Sequence, residues 1–370
     1  MANRKFWSGR RVTVTGHTGF KGTWLATWLA ELGAEVTGIA LPPTTEPSLF
    51  AASGLERRID SRIADVRSRE LLERHLREAQ PEILFHLAAQ PLVIAGLDDP
   101  VTTFATNILG VVNALDAARR LPGLRAIVVV TSDKCYLRPD RRCAEGDELG
   151  GHDPYSASKA CAEMVVHAYR CSFFSPDAGV GLASVRAGNV IGGGDFSPGR
   201  LLPDLARAFA AGVPAQLRHP GGVRPWQHVL DALAGYLTLA ERLAVNPASF
   251  STAWNFGPDD NVEWPAARIA DVAAARFGRG SWQAAARELA LEVPTLLLCS
   301  DQARRWLGWR PLLSTREAVE WAIDGYRALL DEGGTDWLRE QIAAFAALDR
   351  VPRETAAAAL ARPERRHAFA

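Results

Sequence analysis

A doubly wound α/β fold, in which a parallel sheet carries helices on both faces, is what this sequence predicts. Three observations lead there. From Arg11 to about Val130 short β-branched runs alternate with longer helical stretches, the order in which strand, helix and returning strand build a parallel sheet. The turn after the first run, TVTGHTGFKG, is rich in glycine where a strand would pass into a helix. From about Gly188 glycine and proline become frequent (GNVIGGGDFSPGR, RHPGGVRPW) and the regular alternation stops. A smaller lobe, interleaved with the first, is expected there rather than a separate bead on a linker.

The strands expected are RVTVT (11–15), EVTGIA (35–40), SRIA (61–64), EILFHLA (82–88) and AIVVV (126–130). Between them KGTWLATWLAELG and SRELLERHLREAQ place apolar residues at helical spacing, and Gly33 and Pro81 close them as a helix stop and a strand entry should. VTTFATNILGVVNALDAARRL follows Pro100 and gives the longest helix of this half; YSASKACAEMVVHAYRC gives another, before a strand GLASVRA (181–187). WNFGP (254–258) reads as a strand returning to the first lobe. The expected organisation is a first domain over 1–187 with return segments near 225–258, an interleaved lobe over 188–350, and a tail over 351–370. That tail is Ala-rich and Arg-bearing from Thr355, an exposed helix that frays.

A chain of 370 residues, 48% hydrophobic and 23% charged, is long enough for about two domains. Lys plus Arg and Asp plus Glu both number 42, so no global field draws it to nucleic acid or an anionic membrane. The N-terminal MANRKFWSGR runs into RVTVT without an apolar signal core, and no apolar run looks long enough to span a bilayer. A cytoplasmic location is expected. Five cysteines (Cys135, Cys143, Cys161, Cys171, Cys299) make an odd count without CxxC spacing, which argues against a disulfide framework or a zinc site. Most are expected as small buried hydrophobes, and no metal is expected.

In TVTGHTGFKG the glycines Gly16, Gly19 and Gly22 are spaced GxxGxxG. Glycine there lets the backbone reach positive φ and approach a pyrophosphate, while the helix N-terminus offers free N–H groups and partial positive charge. A tight turn without ligand would also use glycine, but a turn placed after the first strand and opening a helix favours a Rossmann-type dinucleotide site. A carboxylate about 20 residues on would hold a ribose 2′-hydroxyl. At the end of the second strand GIALPPTTEP offers only Glu46, and no Arg for a 2′-phosphate. The residues leave NAD against NADP open.

TSDKCY sets Ser132, Asp133 and Lys134 at the C-terminal end of the strand AIVVV, beside the crevice where doubly wound sheets bind ligands. In YSASK, Tyr155 and Lys159 stand four apart on one helix face. A phenol has a reference pKa of about 10, and a neighbouring ammonium and a nicotinamide cation both favour the phenolate. Tyr155 then takes a proton from a hydroxyl that Ser132 holds, while hydride leaves the same carbon. Asp133 and Lys134 are surplus to plain redox chemistry, and an adjacent acid and base suggest a second step with loss of water.

Taken in order, TGHTGFKG, HLAAQPLV, TSDKCY, LGGHDPYSASKACAE, RAGNVIGGGDF and RPWQHVLD resemble the CDP-glucose 4,6-dehydratases, a branch of the extended short-chain dehydrogenase/reductases, over roughly residues 7 to 328. The resemblance implies NAD as cofactor, a nucleotide sugar (a CDP-hexose favoured) as substrate, and a 4-keto-6-deoxy sugar nucleotide as product. It implies that Tyr155, Lys159 and Ser132 oxidise carbon 4, that Asp133 protonates the departing 6-hydroxyl, and that Lys134 stands where sister dehydratases carry a glutamate base for the carbon-5 proton. The implied cofactor set is Gly16, His17, Thr18, Gly19, Phe20, Gly22, Asp65, Val66, Leu87, Ala88, Ala89, Gln90 and Asn107, with Tyr155 and Lys159. The implied substrate set is Gln90, Asn189, Arg200, Leu201, Arg218, Arg224 and His228, since guanidinium groups give a diphosphate fixed, paired donors. His17 and His86 are expected to be packed or hydrogen-bonded, not metal ligands. A homodimer is implied through helices at 100–121 and 155–171.

The chain departs from that pattern at IAGLDDP, where Ile94, Gly96 and Leu97 replace polar residues, at Cys143 and Ala144, and at LLLC (296–299), which ends on Cys299. On this reading the departures gather around substrate recognition. They keep open a divergent relative, an epimerase or a dehydratase of another nucleotide sugar, and a catalytically idle NAD-binding protein.

Overall fold

The computed structural model describes residues 2–138, 141–175, 179–258, 263–286, 295–332 and 336–349. Seven strands form one sheet: β1 (Arg11–Thr15), β2 (Glu35–Ala40), β3 (Asp60–Ile63), β4 (Ile83–His86), β5 (Ala126–Val130), β6 (Gly181–Ala187) and β7 (Ala253–Phe256). Their order is β7-β6-β5-β4-β1-β2-β3 and every pairing is parallel. β4 and β6 are buried along their whole length, as strands covered on both faces must be, and the polar residues of β6, Ser184 and Arg186, are buried with the rest. The order reverses between β1 and β4, where Thr15 sits opposite His86. Loops leaving these two strands diverge and open the crevice that a doubly wound sheet offers to a ligand.

The strands at 11–15, 35–40, 126–130 and 181–187 have the bounds that the sequence suggests, the one at 60–63 is shifted by one residue, and two are shorter. EILFHLA ends as a strand at His86: the Leu87 N–H is shared between the Thr15 carbonyl and the Thr15 hydroxyl, both at 3.1 Å, and the Ala88 N–H turns to that hydroxyl at 3.2 Å. Helix α1 (Phe20–Glu31) follows the glycine turn and buries Trp24, Leu25, Trp28 and Leu29; Gly33 closes the turn after it at φ +86°. Helix α2 (Arg69–Ala79) covers the other face, with Leu72 and Leu76 inside. Helix α3 (Pro100–Ala118) passes through a π-type stretch at Ala105–Leu109 and packs on α2 and on α4 (Pro154–Ser172). Among the described residues α3 is the one helix long and apolar enough by length and composition to cross a membrane, which the sequence reading had not counted. Of the five cysteines, all free, Cys135 and Cys143 are buried, Cys161 and Cys299 half-buried and Cys171 exposed, fewer in the core than expected.

The second lobe has its own core. Helices α5 (Leu201–Ala210), α7 (Ala266–Phe277) and α8 (Thr315–Arg327) bring together Leu205, Phe209, Ile269, Phe277, Ile323 and Tyr326. Each such side chain, fully buried, contributes about 1.5–3 kcal/mol of hydrophobic stabilisation. The interleaving follows from chain order. Helix α6 (Val229–Val245) packs under β5 and β6, and β7 then extends the sheet beside β6. Past the second lobe, helix α9 (Asp336–Leu348) returns to the first: Leu338, Ile342 and Phe345 join its core, and Phe345 meets the Trp28 ring edge-on at 5.8 Å. The second lobe therefore does not run on to residue 350, because the apolar stripe of α9 is covered by α1. The tail expected over 351–370 lies outside the described residues.

Candidate active site

The glycine turn is built by close backbone approach. Gly16 sits at φ +78°, and a Cβ on it would lie 2.7 Å from the Ala88 nitrogen; a Cβ on Gly22 would lie 2.0 Å from the Gly16 oxygen. Gly19 differs, since its missing Cβ faces only that same oxygen at 3.4 Å. Gly19 is also the N-cap of α1 and makes no side-chain cap, so the first N–H groups of the helix are left for an anion. This cradle opens into a cleft of about 970 Å³ between the lobes. Asp65, Val66, Leu87, Ala88 and Ala89 line one end of it, and Asn189, Arg200, Arg218 and Arg224 line the other.

The reacting groups meet in its wall. β5 ends at Val130, and Asp133–Cys135 then wind into one short 3₁₀ turn capped by the Ser132 hydroxyl, which accepts from the Lys134 N–H at 3.2 Å. The same hydroxyl donates to Asp133 Oδ1 at 3.1 Å, and Tyr155 lines the cleft beside it. Asp153 caps α4 by accepting the Ser156 N–H at 3.0 Å, and Pro154 takes the first helical position. That start sets Tyr155 in the first turn and Lys159 one turn on. Lys159 Nζ reaches the Val130 carbonyl at 3.5 Å and stands 5.9 Å from the Tyr155 ring centre.

Burial dominates the electrostatics. It pushes the Tyr155 phenol up to about 12, although the Ser132 hydrogen bond and the Arg200 charge pull it back. It lowers Lys159 to about 8, against the charge of Glu163. It raises the Asp133 carboxyl despite Lys134, Ser132, Arg224 and Lys21. Lys21 in α1 faces the same space, lowered to about 7 by burial and by Arg200 and Lys159. A carboxyl raised by desolvation and amines lowered toward neutrality suit proton transfer.

Behind the turn lies a buried polar network that the sequence reading missed. Glu163, one helical turn past Lys159, accepts from Thr131 Oγ1, from Ser184 Oγ at 2.7 Å and from Arg186 at 2.8 Å. Arg186 also donates to the Tyr136 hydroxyl at 2.9 Å, which in turn donates to Asn255 Oδ1 at 2.7 Å. Thr131 precedes Ser132 and Tyr136 follows Cys135, so both ends of the catalytic turn are tied to one ion pair. The signal available was Glu163 at i+4 from Lys159; its partners are Thr131, just past β5, and Ser184 and Arg186 on β6, and no local pattern links them.

Of the residues expected at the site, Ser132, Asp133, Lys134, Tyr155 and Lys159 line the cleft, as do Thr18, Phe20 and Leu201. Four do not. His17 is buried with Nε2 on the Ser61 hydroxyl at 2.8 Å, and burial lowers it to about 4. Asn107 and Gln90 are bonded to each other: the Asn107 amide takes the Gln90 N–H at 2.8 Å and donates to Ser158 at 2.8 Å, while Gln90 Nε2 donates to Thr103 at 2.8 Å. They stiffen the wall instead of facing a ligand. His228 caps α6, accepting the Leu230 N–H at 3.3 Å, and packs between Trp24 and Trp321. The departures divide too. Ile94 and Leu97, 46% and 45% exposed, line the cleft. Gly96 instead packs on the start of α4, 3.3 Å from the Tyr155 nitrogen as a Cβ would measure it. Cys143, Ala144 and Cys299 lie off the cleft wall, where Arg142–Cys143 pairs with Leu297–Leu298.

A model of the NAD dependent epimerase/dehydratase family matches residues 12–255. A CDP-glucose 4,6-dehydratase of Salmonella typhimurium strain LT2 is 44% identical over 338 residues, 89% of this chain and 93% of that protein. A dTDP-glucose 4,6-dehydratase of Xanthomonas campestris is 28% identical over 232 residues, 59% of this chain and 64% of that protein. Among solved structures, a Thermus thermophilus UDP-glucose 4-epimerase in complex with NAD superposes with a TM-score of 0.72 at 25% identity, covering 86% of this chain and 99% of that one. A Streptomyces venezuelae dTDP-glucose 4,6-dehydratase with NAD bound gives 0.73 at 22% identity, covering 86% and 97%.

Proposed function

The chain belongs to the NAD dependent epimerase/dehydratase family, and from that premise we propose that it is a 4,6-dehydratase converting CDP-D-glucose to CDP-4-keto-6-deoxy-D-glucose. The observation that carries the reading is that Ser132, bonded to Asp133 at 3.1 Å, lines the same cleft wall as Tyr155 and Lys159. An oxidising pair and an eliminating acid meet there at one point of the cleft.

NAD fits the cradle: Gly16 and Gly22 have no room for side chains, Gly19 leaves the α1 N-terminus uncapped, and Asp65 and Val66 close the far end. At the end of β2 the cleft is lined by Leu41, Pro42, Pro43, Thr44 and Thr45, neutral groups that suit a ribose hydroxyl and give a 2′-phosphate no counter-charge. Once bound, NAD supplies the acceptor for the carbon-4 hydride and gives it back at carbon 6. Tyr155 takes the proton of the 4-hydroxyl, with Lys159 and the bound cation favouring its phenolate. The new ketone acidifies carbon 5, whose proton passes to a base in the wall; Lys134, beside Asp133, is the candidate. Asp133, its carboxyl raised by burial, is the acid that protonates the 6-hydroxyl as it leaves. Arg200, Arg218 and Arg224 offer the diphosphate its donors. Ile94 and Leu97 in the wall favour a second reading, the same chemistry on another nucleotide hexose.

Proton NMR of the purified protein with a panel of nucleotide hexoses tests both. A methyl doublet beside a hydrated ketone from CDP-glucose is expected. The doublet from another sugar alone selects the second reading, and epimer without methyl product ends both. A cytoplasmic homodimer completes the proposal. Val101, Leu109 and Met164, 76%, 56% and 54% exposed on α3 and α4, support a pairing face, and sedimentation tests it.

A further inference from the structure

Asp133 and Lys134 ride on a turn too short to hold itself. Asp133–Cys135 is one 3₁₀ turn, and the backbone bond that closes it, from the Cys135 N–H to the Ser132 carbonyl, is 3.3 Å long, beyond the usual range. The Asp133 carboxyl accepts the Ser132 hydroxyl on Oδ1 at 3.1 Å, while Oδ2 has no hydrogen-bond partner among the described residues. A Cβ at Gly188 would lie 3.0 Å from Oδ2, so the carboxyl already stands against backbone. Where this acid and the neighbouring amine stand is therefore set by the ends of the turn. Tyr155 and Lys159 are held otherwise. They belong to α4, 19 residues long, whose start is fixed by the Asp153 cap.

The end that follows Lys134 is tied through Tyr136, which is 3% exposed. A phenol hydroxyl donates one proton and accepts others, and the surroundings fix which partner takes which part. Asn255 Nδ2 donates to the carbonyls of Cys143 at 3.0 Å and Cys299 at 3.1 Å, which leaves Oδ1 to accept the phenol at 2.7 Å. Arg186 donates from Nη1 to the phenol oxygen at 2.9 Å and to the Glu145 carbonyl at 3.0 Å, and from Nη2 to Glu163 at 2.8 Å. Glu163 in turn holds Thr131 at the other end. A guanidinium is a rigid plane, so one side chain sets the span between the two ends of the turn. Removing the phenol oxygen frees the end beside Lys134 and leaves Thr131, Glu163 and α4 tied as before.

We propose that Tyr136 is a positioning residue for the elimination half of the reaction: its hydroxyl holds Asp133 and Lys134 where the carbon-5 proton and the 6-hydroxyl leave, and has no part in the oxidation at carbon 4. The inference rests on the dehydratase reading above. Tyr136 moves no proton itself, since its hydroxyl is taken up by Asn255 and Arg186. Loss of water needs an acid and a base in place together, and a displacement of about 1 Å costs roughly 100-fold in such a step. Ser132, next to Thr131, stays with Tyr155 and Lys159, so hydride transfer from carbon 4 goes on.

The test is Tyr136→Phe in single turnovers, with NAD-loaded enzyme in excess over CDP-glucose. The rise of the reduced-cofactor absorbance times the oxidation, its decay times the steps that follow, and proton NMR of quenched samples follows the methyl product. The variant should keep the rise within about twofold of the wild type. Decay and methyl product should slow together, by up to roughly 100-fold. A smaller folded fraction lowers amplitudes but not these rates, so a merely structural tyrosine changes neither. If Tyr136→Phe does not fold, Arg186→Lys serves: it keeps a cation for Glu163, loses the fork that also reaches the phenol, and must show the same slow decay. An unchanged decay, or a rise slowed as much as the decay, overturns the inference while methyl product from the wild type leaves the dehydratase reading standing. No methyl product from the wild type overturns that reading, and the inference with it.

Discussion

The glycine cradle and the catalytic turn stand side by side in one cleft but are held in place by opposite means. The cradle is fixed by what is missing: Cβ atoms at Gly16 and Gly22 would meet backbone at 2.7 and 2.0 Å. The catalytic turn is fixed by what is present, a Glu163–Arg186 pair at 2.8 Å whose hydrogen bonds reach the residues on either side of Ser132, Asp133 and Lys134. Steric exclusion tolerates no change, whether the backbone it meets is near in sequence, as Gly16 is to Gly22, or distant, as Ala88 is to Gly16. A polar network acts between residues far apart and can be lost by degrees. The difference teaches where each half breaks.

Gly22→Ala puts the largest stress on that contrast. Its Cβ must displace the Gly16 carbonyl, and shifting positioning atoms by about 1 Å costs roughly 100-fold in function. NAD affinity measured by calorimetry should fall by about that factor, while thermal unfolding moves little. Arg186→Met comes next and reverses the pattern. It strands the Glu163 carboxylate in the interior, a loss of about 3–5 kcal/mol in urea unfolding. The double variant Glu163→Leu/Arg186→Met should recover at least about half of that, because no buried charge is left over; no recovery would mean the hydroxyls around the pair matter more than its charge. The smallest effect is with pH. Burial alone would raise Glu163, but Arg186, Thr131 and Ser184 together hold it below its ordinary value. The unfolded chain then binds more protons between the folded and unfolded pKa values, so this stability is complete above about pH 4.5 and is lost as pH falls through the folded value. Unfolding free energy followed downward from pH 5 should drop in the wild type and drop less steeply in Glu163→Gln.

The same contrast explains what could be read in advance. β1, the glycine turn and α1 were legible because their signals are local: an apolar run, glycines at fixed spacing, then apolar residues at helical spacing. Tyr155 and Lys159 were legible as two residues on one helix face. The polar side chains of Gln90, Asn107 and His228 misled, because type and motif do not say which way a side chain points; each is consumed by a hydrogen bond to its own scaffold. Of the departures read as gathering around substrate recognition, Cys143, Ala144 and Cys299 lie off the cleft wall, while Leu296 of the LLLC stretch lines it.

By itself the sequence determined the parallel sheet, the phosphate cradle and the set of reacting groups, since backbone conformation and residue chemistry are properties of short stretches. Only the tertiary structure decided that Glu163, Arg186, Tyr136 and Asn255 clamp the turn, that Lys21 enters the cleft, that α9 returns to the first lobe, and that Tyr155 and Lys159 line one wall with Ser132 and Asp133. Those are contacts between strands, helices and loops distant in the chain. Burial, which sets the pKa of every group among them, exists only once the chain has folded around them.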